Sequence, residues 1–327
     1  MAIISYIDAI KMALREEMER DDKVFVLGED VGKKGGVFKA TEGLYDQFGE
    51  DRVLDTPLAE SAIAGVGIGA AMYGYRPIAE MQFADFIMPA VNQIISEASR
   101  IRYRSNNDWT CPMVIRAPFG GGVHGGLYHS QSVEKVFFGQ PGLKIVVPSN
   151  PYDAKGLLKA AIRDNDPVMF FEHKRAYRLL KEEVPETDYI VPIGEANVVR
   201  EGSDITVITY GLAVQFAKEA AENLAKEGIE AHILDLRTIY PLDKESIIEA
   251  AKKTGKVLLV TEDNLEGSII GEVSAIISEN CLFDLDAPIA RLAGPDIPAM
   301  AFAPTMEKYF MIDSDKVEES MRELAEY

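Results

Sequence analysis

The chain has few of the residues that staple, ligate or anchor a protein. Cys111 and Cys281 are its only cysteines, far apart and in no paired motif. Neither a disulfide framework nor a zinc knuckle is therefore encoded, which fits a reducing cytoplasm. No uninterrupted apolar run approaches ~18 residues, and no basic segment followed by a long apolar one opens the sequence. A membrane span and a secretory leader are both unexpected. Basic residues are scarce beside acidic ones, 34 against 53, giving a formal charge of −19 and a pI near 4.7. Nucleic acid and anionic membranes are excluded as main partners by repulsion, and a basic partner domain is favoured.

What is present is enough for globular folding. The 327 residues, 47% of them hydrophobic, suggest about two domains, each with a core of its own. Low-complexity segments and short repeats are absent.

The most informative stretch is Asp55-Thr56-Pro57-Leu58-Ala59-Glu60-Ser61. It ends an extended run and is read as opening a helix over 57–73, with Thr56 as cap and Pro57 in the first turn, where a missing N–H costs nothing. Glu60 then stands among Leu58, Ala59, Ala62, Ile63 and Ala64, with no Lys or Arg nearer in sequence than Arg52. A carboxyl without a countercharge in apolar surroundings resists ionising, and such a group suits acid/base work near neutral pH. The plainer reading is a first-turn acid answering the helix dipole.

Before that stretch, Ser5 and Asp8 resemble a capping box for a first amphipathic helix reaching Glu19. A strand over 23–28 follows, presenting Glu29 and Asp30 at its end, where acids are site candidates in a parallel sheet, although base rate favours solvated loop acids. Beyond it, Gly65, Gly67 and Gly69 weaken the Glu60 helix unless they have a purpose. Gly65 and Gly69 share a face at i, i+4, so they are read as a seam for close approach of a second helix or subunit. Gly65, Gly67 and Ala70 also satisfy G-x-G-x-x-A, but the dinucleotide fingerprint needs a strand immediately before it, and here a helix has already begun.

A strand over 76–82 ends at Phe83-Ala84-Asp85-Phe86. A helix with apolar positions from Ile87 to Ile101 follows, and then a strand over 113–116. The chain then enters Gly120-Gly121-Gly122-Val123-His124-Gly125-Gly126-Leu127-Tyr128-His129-Ser130-Gln131, a loop open only to permissive backbone. No Gly-Lys-Ser/Thr ends it, so it is no phosphate cradle. His124 and His129 lack a third ligand at a usual spacing, which leaves hydrogen-bonded loop histidines as the better reading than a metal site. Further strands over 144–147 and 168–171 flank a helix over 153–163. The β-α-β-α order implies a parallel sheet with helices on both faces. The polar stretch from Lys181 to Pro192 reads as a linker. After it, strands over 205–210, 229–236, 256–261 and 289–292 alternate with helices over 214–226, 244–253 and 266–279, and a last helix spans 314–326.

Several of these segments together carry a family likeness. Asp55-Thr56-Pro57 leading to Glu60, Phe83-Ala84-Asp85-Phe86, Tyr128-His129-Ser130-Gln131, Pro141-Gly142-Leu143-Lys144 and Leu234-Asp235-Leu236-Arg237-Thr238 resemble the β subunits of thiamin-diphosphate-dependent 2-oxo acid dehydrogenases, over essentially the whole chain. Within that group Arg102-Tyr103-Arg104-Ser105, Leu127-Tyr128-His129-Ser130-Gln131 and Phe170-Phe171-Glu172 are most similar to the branched-chain branch, with pyruvate and acetoin relatives next.

The resemblance implies an α/β chain with a pyrimidine-binding transketolase-like domain over 1–185 and a transketolase C-terminal domain over 186–327. It also implies an α2β2 heterotetramer whose α subunit grips the diphosphate and its magnesium through a Gly-Asp-Gly motif absent from this chain. Glu60 is expected to contact a ring nitrogen of the aminopyrimidine and promote its imino tautomer. Phe86 is expected to stack beside that ring, without the hydroxyl some branched-chain relatives carry there. His129 is expected at the mouth of the active site, acting in acyl transfer to lipoyl groups or in charge stabilisation, a task that suits an imidazole. A structural potassium ion is implied at the backbone carbonyls of Cys111, Met113, Val114, Ala161, Asp164 and Asp166. The acidic C-terminal domain is expected to help dock the basic subunit-binding domain of the acyltransferase core. Two other classes are open: a nicotinamide dehydrogenase resting on the Gly65 motif, and a non-catalytic assembly module that only completes the α subunit.

Overall fold

A computed structural model describes residues 2–327. The chain divides into two compact units, one of residues 1–119 and 136–193, the other of residues 120–135 and 194–327.

In the first unit the strands are β1 (Ala2–Ser5), β2 (Val24–Gly28), β3 (Val53–Asp55), β4 (Arg76–Glu80), β5 (Val114–Phe119), β6 (Lys144–Val146), β7 (Val168–His173) and β8 (Lys181–Val184). The helices are α1 (Tyr6–Arg20), α2 (Leu44–Phe48), α3 (Glu60–Met72), α4 (Ile101–Arg104), α5 (Pro151–Arg163) and α6 (Ala176–Leu179). Six strands run parallel in the order β6-β7-β5-β4-β2-β3. Strands β2, β5 and β7 are buried along their whole length, as strands covered on both faces must be, and their apolar runs answer to that. Helix α1 starts at Ser5, whose side chain accepts the Asp8 N–H, and packs on α5.

Three expectations change here. The polar stretch beginning at Lys181 is not wholly a linker, because Lys181–Val184 pairs antiparallel with Ala2–Ser5. Its polarity reflects a short exposed edge pair. The continuous helix expected after Phe86 is a chain of short turns, tight at 84–86 and 88–90 and a wide π-type turn at Gln93–Glu97, before α4. Pro89 removes an N–H within it. Finally, α3 begins at Glu60 rather than at Pro57, and its cap position is Ala59, not Thr56.

In the second unit the strands are β9 (Asn197–Arg200), β10 (Ile205–Thr209), β11 (Ala231–Asp235), β12 (Thr238–Tyr240), β13 (Val257–Asn264) and β14 (Ala290–Gly294). The helices are α7 (Ala213–Ala225), α8 (Lys244–Thr254), α9 (Ile269–Cys281), α10 (Pro304–Phe310) and α11 (Ser314–Ala325). The sheet order is β14-β13-β10-β11-β9, parallel except for β9 at one edge. Both units are α/β, built on parallel strands with helical crossovers, as the alternating pattern implies. Among the described residues no helix is long and apolar enough to cross a membrane.

Candidate functional site

In the first unit, β2 lies between β3 and β4, and Gly28 is in register with both Asp55 and Glu80. The carboxyl ends of three parallel strands therefore emerge together, the usual place for a site in such sheets. Gly28 is required by that proximity, since a Cβ there would meet the Glu80 carbonyl oxygen at 2.7 Å. The chain leaves β3 through Asp55, whose Oδ1 accepts the Gly32 N–H at 2.6 Å. It then passes Thr56 and enters α3 at Glu60. Glu60 is 8% exposed. The Thr56 hydroxyl oxygen is buried with no hydrogen-bond partner among the described residues, so this strand end presents a polar atom whose hydrogen bonding the chain itself leaves unused.

Glu29, at the end of β2, is half-buried and is not the solvated loop acid that base rate favours. Burial raises its pKa, and the charges of Asp30 and Glu60 push the same way against Gln82 and Lys34. Glu29 and Glu60 are thus close enough to feel one another, in a small acidic group at the strand ends. Phe86 is half-buried and packs edge-on against Phe83 at 5.7 Å between ring centres. Phe83 continues through Phe38 to Tyr177 at 5.3 Å per step, so the ring is held by an aromatic chain. Lys174 lies 3.7 Å from Asp85, both buried, with its ammonium 5.6 Å from the centre of the Phe83 ring.

Beneath these strand ends is an ion triad that the sequence does not advertise. Arg116, fully buried on β5, makes a two-pronged contact with Glu172 on β7 at 2.5 and 2.7 Å and a third bond to Glu80 on β4 at 2.6 Å. Tyr177 donates to Glu172 at 2.6 Å. Burial raises the Glu80 pKa while the Arg116 charge opposes it. Burial also works against the guanidinium charge, yet the two acids hold it firmly protonated.

In the second unit, the loop over 120–135 carries His129 at the end of a tight turn over Gly126–Tyr128. His129 is half-buried, and Tyr128 is exposed. His124 is not a ligand in waiting, because its Nδ1 lies 2.5 Å from Glu307 Oε2. Among the described residues there is no group of three or more His, Cys, Asp or Glu that could hold a metal.

Comparison with known proteins decides the family. Residues 2–179 match the transketolase pyrimidine-binding domain and residues 194–317 the transketolase C-terminal domain. The chain is 79% identical to the 2-oxoisovalerate dehydrogenase subunit beta of Bacillus subtilis (strain 168), over all of both chains. It belongs to the 2-oxo acid dehydrogenase β subunits. Within them it stands further from the pyruvate dehydrogenase E1 component subunit beta. That of Bacillus subtilis is 49% identical, over 90% of this chain and 91% of the relative, and that of Staphylococcus aureus (strain Mu50 / ATCC 700699) is 47% identical over the same shares. A solved split-gene transketolase, described as an inactive beta4 tetramer, superposes with a TM-score of 0.77 at 23% identity over 99% of each chain, a likeness of fold.

In this β subunit the six carbonyl positions singled out for potassium lie on two adjoining stretches. Met113 O accepts the Val168 N–H at 2.9 Å, and Val114 pairs with Val168. The carbonyls of Cys111, Met113, Ala161 and Asp164 each accept a hydrogen bond. The bond to Asp164 comes from the Arg76 guanidinium at 2.8 Å. A carbonyl has two lone pairs, so one accepted hydrogen bond does not by itself bar a cation.

Residue-by-residue reading of the sequence missed Arg116, Glu134, Glu262 and Glu307. A charged residue inside an apolar strand pattern was the available signal for Arg116, in Val114–Phe119.

Proposed function

We propose that this chain is the β half of a thiamin-diphosphate-dependent enzyme that decarboxylates branched-chain 2-oxo acids and reductively acylates lipoyl groups, active only with an α subunit. The observation that carries the reading is a buried Glu60 at the joined strand ends of a chain 79% identical, end to end, to a 2-oxoisovalerate dehydrogenase β subunit. Pyruvate is the second substrate to test, because the match to a pyruvate dehydrogenase β subunit covers 90% of the chain at 49% identity.

The residues present fit the pyrimidine end of the cofactor. Glu60 supplies a buried carboxyl, Phe86 a ring face, and Thr56 an unused hydroxyl. Thiamin diphosphate, when bound, would supply the nucleophilic carbon and the electron sink that decarboxylation of a 2-oxo acid requires. Glu60 would hold a proton against a ring nitrogen of the bound pyrimidine and take it back, work suited to a buried carboxyl. Glu29 adds negative charge beside it. Phe86 stacks and keeps water from one ring face. His129 acts in the transfer to lipoyl. Magnesium and the diphosphate belong to the α subunit, since this chain has no Gly-Asp-Gly. A potassium ion on the backbone carbonyls of Cys111, Met113, Val114, Ala161, Asp164 and Asp166, a division into domains at residues 185 and 186, a cytoplasmic location and docking of the acyltransferase core on the acidic C-terminal domain complete the reading.

The test is reconstitution. The chain is mixed with a candidate α subunit, thiamin diphosphate and magnesium, and branched 2-oxo acids are assayed against pyruvate. Preferred turnover of branched acids is expected. Preference for pyruvate moves the chain to the second reading, and unimpaired activity after replacing both Glu60 and His129 reduces it to an assembly module.

A further inference from the structure

The loop bearing His129 is held by acids rather than by a strand ladder. Gly121 donates its N–H to Glu262 at 2.7 Å. Gly122 and His124 both donate theirs to Glu307 Oε1 at 3.1 Å, and His124 Nδ1 lies 2.5 Å from Glu307 Oε2. One carboxylate thus closes three contacts within the short stretch 122–124. The Glu307 side chain is 4% exposed and that of His124 62%, so the acid is part of the fold and the imidazole is the part that reaches out.

A backbone bond from the Gly120 N–H to the Gln131 carbonyl at 3.0 Å closes the loop, but the stretch inside it takes unusual backbone angles. Gly120, Gly122 and His124 all have positive φ, at 86, 76 and 55°, and the last is unfavourable for a residue with a Cβ. Something must over-determine it. The segment over 300–311 does so: a Cβ on Gly121 would meet Met311 Sδ at 2.6 Å and Met300 Cε at 2.8 Å, and one on Gly126 would run into the Phe302 ring. Glu307 is the polar fastening in that otherwise apolar bed.

We infer that Glu307 is a positioning residue, which fixes the backbone of residues 122–124 and thereby aims His129, five residues further on, for transfer to the lipoyl acceptor. The inference rests on the role given to His129 above. It predicts that loss of Glu307 loosens the loop and harms transfer, while decarboxylation, which draws on Glu60, proceeds.

The test uses the reconstituted tetramer with thiamin diphosphate and magnesium. Three quantities are read: dye-coupled decarboxylation, kcat/KM for a lipoyl domain, and hydrogen exchange of the peptide over 120–131. Glu307→Ala should speed exchange and lower lipoyl kcat/KM on the order of 10- to 100-fold, the scale of an ångström of misplacement, with decarboxylation within about twofold of wild type. Glu307→Gln, whose amide oxygen still accepts from both backbone N–H groups, should recover most of the loss. Equal losses in both assays, or unchanged exchange, overturn the assignment. Should Glu307→Ala fail to assemble, His124→Ala gives the same readouts with a smaller expected loss, and parity with wild type overturns it. Failure of the wild-type tetramer to decarboxylate any 2-oxo acid strikes instead at the proposed function, and the exchange comparison then still scores the clamp.

Discussion

The Tyr210 hydroxyl donates to Glu134 Oε1 at 2.9 Å, while Glu134 Oε2 is buried with no hydrogen-bond partner among the described residues. Burial, then the neighbouring Asp263 charge, push the Glu134 pKa up to about 8. Glu134 therefore folds with its proton on. The unfolded chain releases that proton near 4.5, so between that pH and about 8 the folded state binds the extra proton and stability falls as pH rises. The contribution is complete below 4.5 and gone above about 8. Glu134→Gln should flatten this dependence between pH 5 and 8. At pH 8 it should melt above wild type by several degrees, since a tenfold change in how tightly a proton is held is worth roughly 1.4 kcal/mol of folding free energy. Parallel melting curves for the two proteins across that range would sink the idea.

Glu60→Gln keeps the shape and the hydrogen-bonding reach of the side chain but cannot cycle a proton. It should assemble with the α subunit and melt as wild type does. Decarboxylation should fall on the order of 10²- to 10⁴-fold, the usual worth of a positioned acid/base group. Near-wild-type turnover would refute the role.

The Arg116 triad carries a stability prediction. Arg116→Met leaves Glu80 and Glu172 buried without their shared cation, and breaking a buried pair from one side costs about 3–5 kcal/mol. Urea denaturation should show this as a large fall in midpoint. Removing Lys34 from its exposed pair with Asp30 should change the midpoint immeasurably.

The α/β class and the strand-helix alternation were legible in the sequence, because apolar periodicity lies in consecutive residues. Partnerships across the sheet were not. Glu80 and Glu172 lie 36 and 56 positions from Arg116, and only the parallel register brings the three together. Glu307 and His124 are separated by 183 positions, so His124 showed only what it lacked, a third metal ligand. The start of α3 was misplaced by three residues because Thr56 and Pro57 have good cap chemistry, and tertiary context overrode it. Edge strands such as β1 and β8 were hidden by their polarity and their four-residue length.

The glycines of α3 give the last prediction, because they divide by what surrounds them. Gly67 lies against Met113, with 2.6 Å from a would-be Cβ to the methyl carbon, whereas at Gly65 and Gly69 a Cβ would meet nothing within 4 Å. Among the described residues no helix sits against Gly65 and Gly69, so the close approach read from their spacing is not an internal one. Their face continues into Val66 and Tyr73, 56% and 86% exposed, an apolar strip on a helix that begins with Glu60. If the strip meets another subunit, the glycines are kept against their own helix's interest, since each costs on the order of 1 kcal/mol relative to Ala. The double variant Gly65→Ala, Gly69→Ala should therefore raise the melting temperature of the chain alone and weaken assembly with the α subunit, measured by sedimentation of the reconstituted mixture. Stabilisation with unchanged assembly would show that the strip faces water in the complex as well.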